Sequence, residues 1–188
     1  MRVHNLILVV LISCFLIFHN IENNNNLIYE YSRDNFVIKN GFLFLNKKKY
    51  SGKLNRYDSV NLTYTITKYC RGKKNGKEIV KYENNTVAEE RFYTKGVKTG
   101  IHRGWWRNGL QKFEYHFNAS GIYNGKVKEW YFNGQKASIF NFVNGKEDGC
   151  QRSWGFNGEI KANYSVKDGQ RYGMIGRKEC YTRNKINE

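Results

Sequence analysis

Proline is absent from the 188 residues, and alanine stands only at Ala88, Ala119, Ala137 and Ala162. With so little of the best helix former and aromatics at 16%, local propensity favours strands and argues against a helical bundle. Acidic residues are also scarce, 16 against 32 Lys+Arg, leaving a formal charge of +16. Such a surface suits anionic partners of several kinds, whether phospholipid, acidic protein, cell-wall polymer or nucleic acid. Beyond the N-terminal stretch, histidine occurs only at His102 and His116, with no second ligand at usable metal spacing. No Ser or Cys sits in a nucleophile-elbow setting. Glu89 and Glu90 are neighbours on an expected strand, so their carboxylates point to opposite faces and cannot share a substrate. These absences argue against an enzyme and against any cofactor or metal.

Long apolar runs are missing as well, with one exception. After Met1-Arg2-Val3-His4-Asn5 comes Leu6 to Phe18, followed by a polar run from Glu22 to Asn26. A charged start and a 13-residue apolar run have the proportions of a secretory signal and fall short of a membrane span. Residues 1–18 are thus read as a signal peptide and 19–35 as a polar linker. Within the run, Leu11-Ile12-Ser13-Cys14 resembles a bacterial lipobox, which would make Cys14 the lipidated residue and tether the chain to a membrane. Cleavage elsewhere, with secretion, is the other outcome. Sequons at Asn61, Asn84, Asn118 and Asn163 matter only in a eukaryotic or viral secretory pathway.

Glycine is abundant and periodic. Gly52, Gly76, Gly100, Gly125, Gly149 and Gly173 are spaced by 24 or 25 residues, and Gly72, Gly96, Gly121, Gly145 and Gly169 repeat those intervals. A third series, Gly109, Gly134 and Gly158, brings the three columns to 14 of the 18 glycines, so the chain is read as tandem repeats of 24 residues. One surplus residue falls between Gly109 and Gly121. Asn108-Gly109, Asn133-Gly134 and Asn157-Gly158 predict two-residue type I′ hairpin turns. Asn144-Gly145-Lys146-Glu147-Asp148-Gly149 predicts the opposite turn into the next unit. The expected fold is all-β: an antiparallel meander of β-hairpins, with five repeats over 52–172, a capping hairpin at 36–51 and a degenerate cap and tail at 173–188.

Aromatics recur five or six residues after the first-series glycine, at Tyr57, Tyr82, Trp105 with Trp106, Trp130 with Tyr131, and Trp154. Two roles suit them, an apolar ladder between hairpins or one face of a binding surface.

These units resemble the MORN-variant repeats of bacteria, a family labelled antitoxin-like. The likeness is carried best by Trp130-Tyr131-Phe132-Asn133-Gly134-Gln135 and by Phe142-Val143-Asn144-Gly145-Lys146-Glu147-Asp148-Gly149. Asn40-Gly41-Phe42-Leu43-Phe44-Leu45 followed by Tyr50-Ser51-Gly52-Lys53 is similar to the way family members begin. The resemblance covers about residues 36–173 and implies a scaffold that acts by binding. The unit from Gly52 has no Asn-Gly near Asn61, the next has Asn84-Asn85 in its place, and Lys49 stands where the family often has proline, so the first two units are expected to be irregular.

The expected function is an exported or membrane-tethered scaffold, antitoxin- or immunity-like, that binds a protein or an acidic envelope polymer. Candidate binding residues are Trp105, Trp106, Trp130, Tyr131, Trp154, Lys73, Lys74 and Lys77. The alternative is binding to an anionic membrane through the lysines of the first units. Nucleic acid is disfavoured, because an exported chain seldom meets it. Cys70, Cys150 and Cys180 occupy different places in their units. Even the nearest two are roughly 20 Å out of register at 3.3 Å per residue, so no intramolecular disulfide is expected.

Overall fold

The computed structural model describes residues 28–173 apart from Arg33, and every regular element in it is a β-strand. The signal stretch with Cys14, and Cys180 in the tail, lie outside the described residues. Strand β1 (Ile28–Glu30) precedes a small three-stranded sheet of β2 (Phe36–Lys39), β3 (Phe42–Leu45) and β4 (Lys48–Lys49). Then follow β5 (Gly52–Asp58), β6 (Thr63–Cys70), β7 (Lys73–Tyr82), β8 (Val87–Thr94), β9 (Val97–Lys98) and β10 (Gly100–Trp105). The chain continues through β11 (Gln111–Phe117), β12 (Tyr123–Trp130), β13 (Lys136–Val143), β14 (Lys146–Glu147), β15 (Gly149–Trp154), β16 (Ile160–Lys167) and β17 (Gln170–Tyr172). Together with β1 these form one 14-stranded sheet whose order follows the chain, an all-β meander.

The meander is antiparallel except at its beginning. Strand β1 lies inside the segment expected to be a linker and pairs parallel with β5, Ile28 opposite Lys53 and Glu30 opposite Asn55. Ile28-Tyr29-Glu30-Tyr31 has enough alternation to occupy the open edge of β5. The small sheet supplies the long crossover that a parallel pair needs. Tyr31 stacks on Phe36, and Tyr29 meets Tyr50 edge-on. Phe36, Leu43, Tyr50 and Leu54 are buried together there, with Tyr31, Leu45 and Tyr69 against them. Burial drives the Tyr50 hydroxyl pKa up to about 12 while the group donates to the Lys53 carbonyl at 2.7 Å.

The type I′ geometry expected at the Asn-Gly tips occurs at the other edge of the sheet instead. Asn144-Gly145 has both φ angles positive, 48° and 81°, between the paired residues Val143 and Lys146, which is the type I′ geometry. Arg71-Gly72, Lys95-Gly96 and Asp168-Gly169 do the same. At the Asn-Gly tips only the glycine is left-handed. The Gly109 N–H donates to the Trp106 carbonyl and the Trp106 N–H to the Leu110 carbonyl, so the loop has three residues and ends in a glycine bulge. Asn108 keeps an ordinary φ and spends its side chain instead, accepting the Leu110 N–H at 3.1 Å; Asn133 and Asn157 accept from Gln135 and Glu159 in the same way. The second unit is regular here: Asn85 takes the left-handed place at φ 67° and Asn84 accepts the Thr86 N–H. The surplus residue of the third unit is also accounted for, since Asn118 to Gly121 forms a three-residue turn where its counterparts have two.

Successive units are fastened at both sheet edges: at most turns the residue after a turn glycine lies over the turn glycine of the next unit, while Gly109 and Gly169 have no such cover. A Cβ added at Gly121 would lie 2.7 Å from Val97, one at Gly145 2.5 Å from Ile122, and one at Gly134 3.3 Å from Leu110. The N–H groups of Gly72, Gly96 and Gly145 donate back to the carbonyls of Tyr50, Lys74 and Tyr123.

Candidate functional site

The aromatic doublets split into two roles. Tyr82, Trp106 and Tyr131 donate from their polar ends to the carbonyls of Trp105, Trp130 and Trp154, at 2.7, 3.1 and 2.8 Å. These donors tie each unit to its successor and stay half-buried, as do the three tryptophans whose carbonyls receive them. The continuous ring stack runs through other residues: Tyr93, His102, Phe117, Tyr123 and Phe142, with centroid separations of 5.7, 4.7, 4.8 and 5.4 Å. The missed signal is a second aromatic column just before the second-series glycine, at Tyr69, Tyr93, Phe117 and Phe142.

A second missed column lies two residues after each first-series glycine: Leu54, Glu78, His102, Val127 and Gln151, all buried. Between the pairs Tyr93–Lys98 and Glu90–Arg103, strand β8 advances three residues while the returning chain advances five, which interrupts the ladder at Phe92. His102 fills the break. Its Nε2 accepts the Phe92 N–H at 3.1 Å and lies 2.9 Å from the Phe92 oxygen, which accepts the Thr99 N–H. Gln151 repairs the same interruption opposite Asn141, accepting its N–H at 2.8 Å and donating to its carbonyl at 2.9 Å. Burial foremost, then the charges of Arg91 and Lys98, hold the His102 pKa below the usual histidine value and keep the ring neutral.

Glu78, 1% exposed, carries a charge into the same column. It accepts from Thr67 at 2.7 Å and pairs with Lys74 and Arg91. Burial alone would raise its pKa; the hydrogen bonds from Lys74 and Thr67 and the two cations outweigh it, and the pKa falls. The lysines proposed from sequence are therefore separated. Lys74 is committed to Glu78 and the Tyr93 ring, Lys77 pairs with Glu90, and Lys73 lies over the Phe42 ring at 4.9 Å. No single patch brings them together with Trp105, Trp130 and Trp154.

What the fold does assemble is a groove of about 810 Å³ across the first three units. Its cations are Arg56, Arg91, Arg107 and Lys112. Arg107 lies 4.5 Å over the Tyr82 ring and reaches the Asn61 carbonyl at 3.0 Å, and Lys112 lies 4.6 Å over Trp106. Of the two carboxylates, Asp58 is occupied in capping the Val60 and Asn61 N–H groups, and Glu89 is paired with Arg91. Arg56, Arg107 and Lys112 form no ion pair with a carboxylate among the described residues. The groove therefore holds three cations outside its one ion pair, a net formal charge of +2 once Asp58 and Glu89 are counted, and flat rings support two of the four.

Glu89 and Glu90 do face opposite ways, toward Arg91 and Lys77. His116 sits on the far face beside Glu114 at 3.2 Å. Among the described residues, no three His, Cys, Asp or Glu side chains gather as a cation site. Cys70 is an exposed free thiol. Asn61 and Asn84 are exposed at hairpin tips, Asn118 is half-buried, and Asn163 is only 2% exposed, which withholds that sequon from modification. A scan against protein-family models and a search of curated proteins both found no match for this chain.

Proposed function

We propose that the chain is an exported, non-enzymatic scaffold, allied to the MORN-variant repeats it resembles, that binds an acidic protein segment or envelope polymer in the groove of its first three units. One observation carries this reading: Arg56, Arg91, Arg107 and Lys112 converge on one open groove in which both carboxylates are already occupied. A groove of one sign attracts ligands of the other and speeds their arrival. Guanidinium and ammonium groups lying on Tyr82 and Trp106 are held in place before a ligand comes, which lowers the ordering cost of binding. The internal linking role of the aromatic doublets agrees with binding by a surface rather than with chemistry at a site.

Poly-glutamate and heparin, an acidic polypeptide and a sulfated glycan, serve as probes by fluorescence anisotropy. The exchange Arg56→Glu with Lys112→Glu should weaken binding by at least about tenfold, since two like-charge contacts replace two favourable ones. The melting temperature should change little. Equal binding by the double variant, or no binding of either probe at moderate salt, refutes the reading.

A further inference from the structure

The small sheet β2–β4 presents two faces with different duties. Phe36 and Leu43 turn inward to the core beside Leu54. The opposite face carries Val37, Phe42 and Phe44, and it lines a shallow concavity of about 560 Å³ whose edge is made by Lys39, Lys47 and Lys49. Val37 is 56% exposed. Phe42 is flanked by two ammonium groups, Lys49 at 4.1 Å and Lys73 at 4.9 Å from its centroid. None of the residues lining the concavity is acidic. Lys39, Lys47 and Lys49 form no ion pair with a carboxylate among the described residues, unlike Lys77 with Glu90 and Arg103 and Lys128 with Glu114. This face therefore joins an apolar centre to lysines that no carboxylate neutralises.

We infer that this face docks on an anionic phospholipid surface. The two parts of the face match the two layers of such a surface: lysines meet the headgroup charge, and valine and phenylalanine enter the boundary with the acyl chains. A soluble anion would engage the lysines and leave the apolar centre in water. The sequence adds the geometry of delivery. The apolar run ending at Phe18 is ten residues before Ile28, a reach of at most about 35 Å, so whatever membrane that run enters or is tethered to lies within range of the small sheet. Docking would then fix the orientation of the long sheet on the bilayer. The inference is independent of the groove and shares with that reading only the expectation of export.

The test uses the full chain carrying Val37→Trp, since every native tryptophan lies at Trp105 or beyond and gives a constant background. Vesicles of brominated phosphatidylcholine are prepared with and without phosphatidylglycerol, and flotation of the same samples reports attachment through the N-terminal run separately. The expected result is several-fold stronger quenching of the new tryptophan on the anionic vesicles, reversed by salt. Adding Lys39→Glu, Lys47→Glu and Lys49→Glu should abolish it while flotation and the melting temperature persist. Equal quenching on neutral vesicles, or none on anionic ones whether or not the chain floats, overturns the inference. So does a response to soluble glycerol phosphate as large as that to vesicles, which would mark a site for free anions instead.

Discussion

At the scale of single residues, the most informative side chains are those that substitute for backbone. His102 and Gln151 perform one task with different chemistry, each supplying a missing rung opposite Phe92 or Asn141. His102→Gln should therefore melt within about 1 kcal/mol of the parent at pH 8, whereas His102→Leu leaves a buried N–H unpaired and should cost about 1–3 kcal/mol. The two also differ in acid. A histidine whose folded pKa is depressed contributes stability that is complete above about pH 6.5 and declines as pH falls through the folded value. Chemical denaturation of the parent should show that decline as pH falls below about 6.5, and His102→Gln should not. A decline of equal size in the glutamine variant would show that the ring is not the titrating group. None of this was legible in the sequence. The column holds Leu54, Glu78, His102, Val127 and Gln151, five side chains with no shared chemistry, and only the surplus residues in the ladder explain why the polar ones are tolerated.

At the scale of the hairpin, glycine spacing located nearly every turn but assigned the wrong geometry to the Asn-Gly tips. Asn-Gly fits both a two-residue turn and the end of a three-residue one. The choice depends on the paired residues on either side, which hydrogen bonding shows and sequence does not. The doublets were likewise visible as a recurrence, but their inter-unit donation was not, because the acceptors are backbone carbonyls. Two equivalent glycines now make a controlled comparison. Gly145 and Gly169 share positive φ, 81° and 76°, but a Cβ would strike Ile122 at Gly145 and meet nothing at Gly169. Gly169→Ala should cost the backbone strain alone, about 1 kcal/mol, and Gly145→Ala about 1–3 kcal/mol more for the crowding. Thermal melts of the two variants would show it; equal losses would mean that Ile122 yields freely.

On the scale of the whole molecule, the formal charge of +16 gives the carboxylates their importance. Burial pushes the Glu114 carboxyl up, but hydrogen bonds from Lys128, Arg103 and His116 bring it down to about 2, and Glu78 is lowered in the same sense. A depressed carboxylate stabilises the fold above its unfolded pKa, about 4.5, and loses that contribution as pH falls through the folded value. Acid unfolding should therefore set in below about pH 4.5 and continue toward pH 2, with Glu114→Gln flattening the lower part of the curve. An unchanged curve for that variant would remove Glu114 from the account. The groove and the small-sheet face belong to this scale too; the lysines of the first units pointed to an anionic membrane in the sequence, but which of those cations stay unpaired did not show there. Both depend on which lysines and arginines are already paired, as Lys74 and Lys77 are, and composition counts every cation alike.

The covering of turn glycines such as Gly72, Gly96, Gly121, Gly134 and Gly145 by the unit before them makes the sheet vectorial. Shortening the chain from its C-terminal side, for example after Val143, leaves Gly72, Gly96, Gly121 and Gly134 with their covers. Starting it at Lys77 instead strips Gly96 of both the Lys73 side chain and the Lys74 carbonyl. The first fragment should resist pulse proteolysis and the second should not. A polypeptide leaving a ribosome or an export pore amino end first would thus offer each new hairpin a finished neighbour to close against, with β1 and the small sheet as the first surface in place.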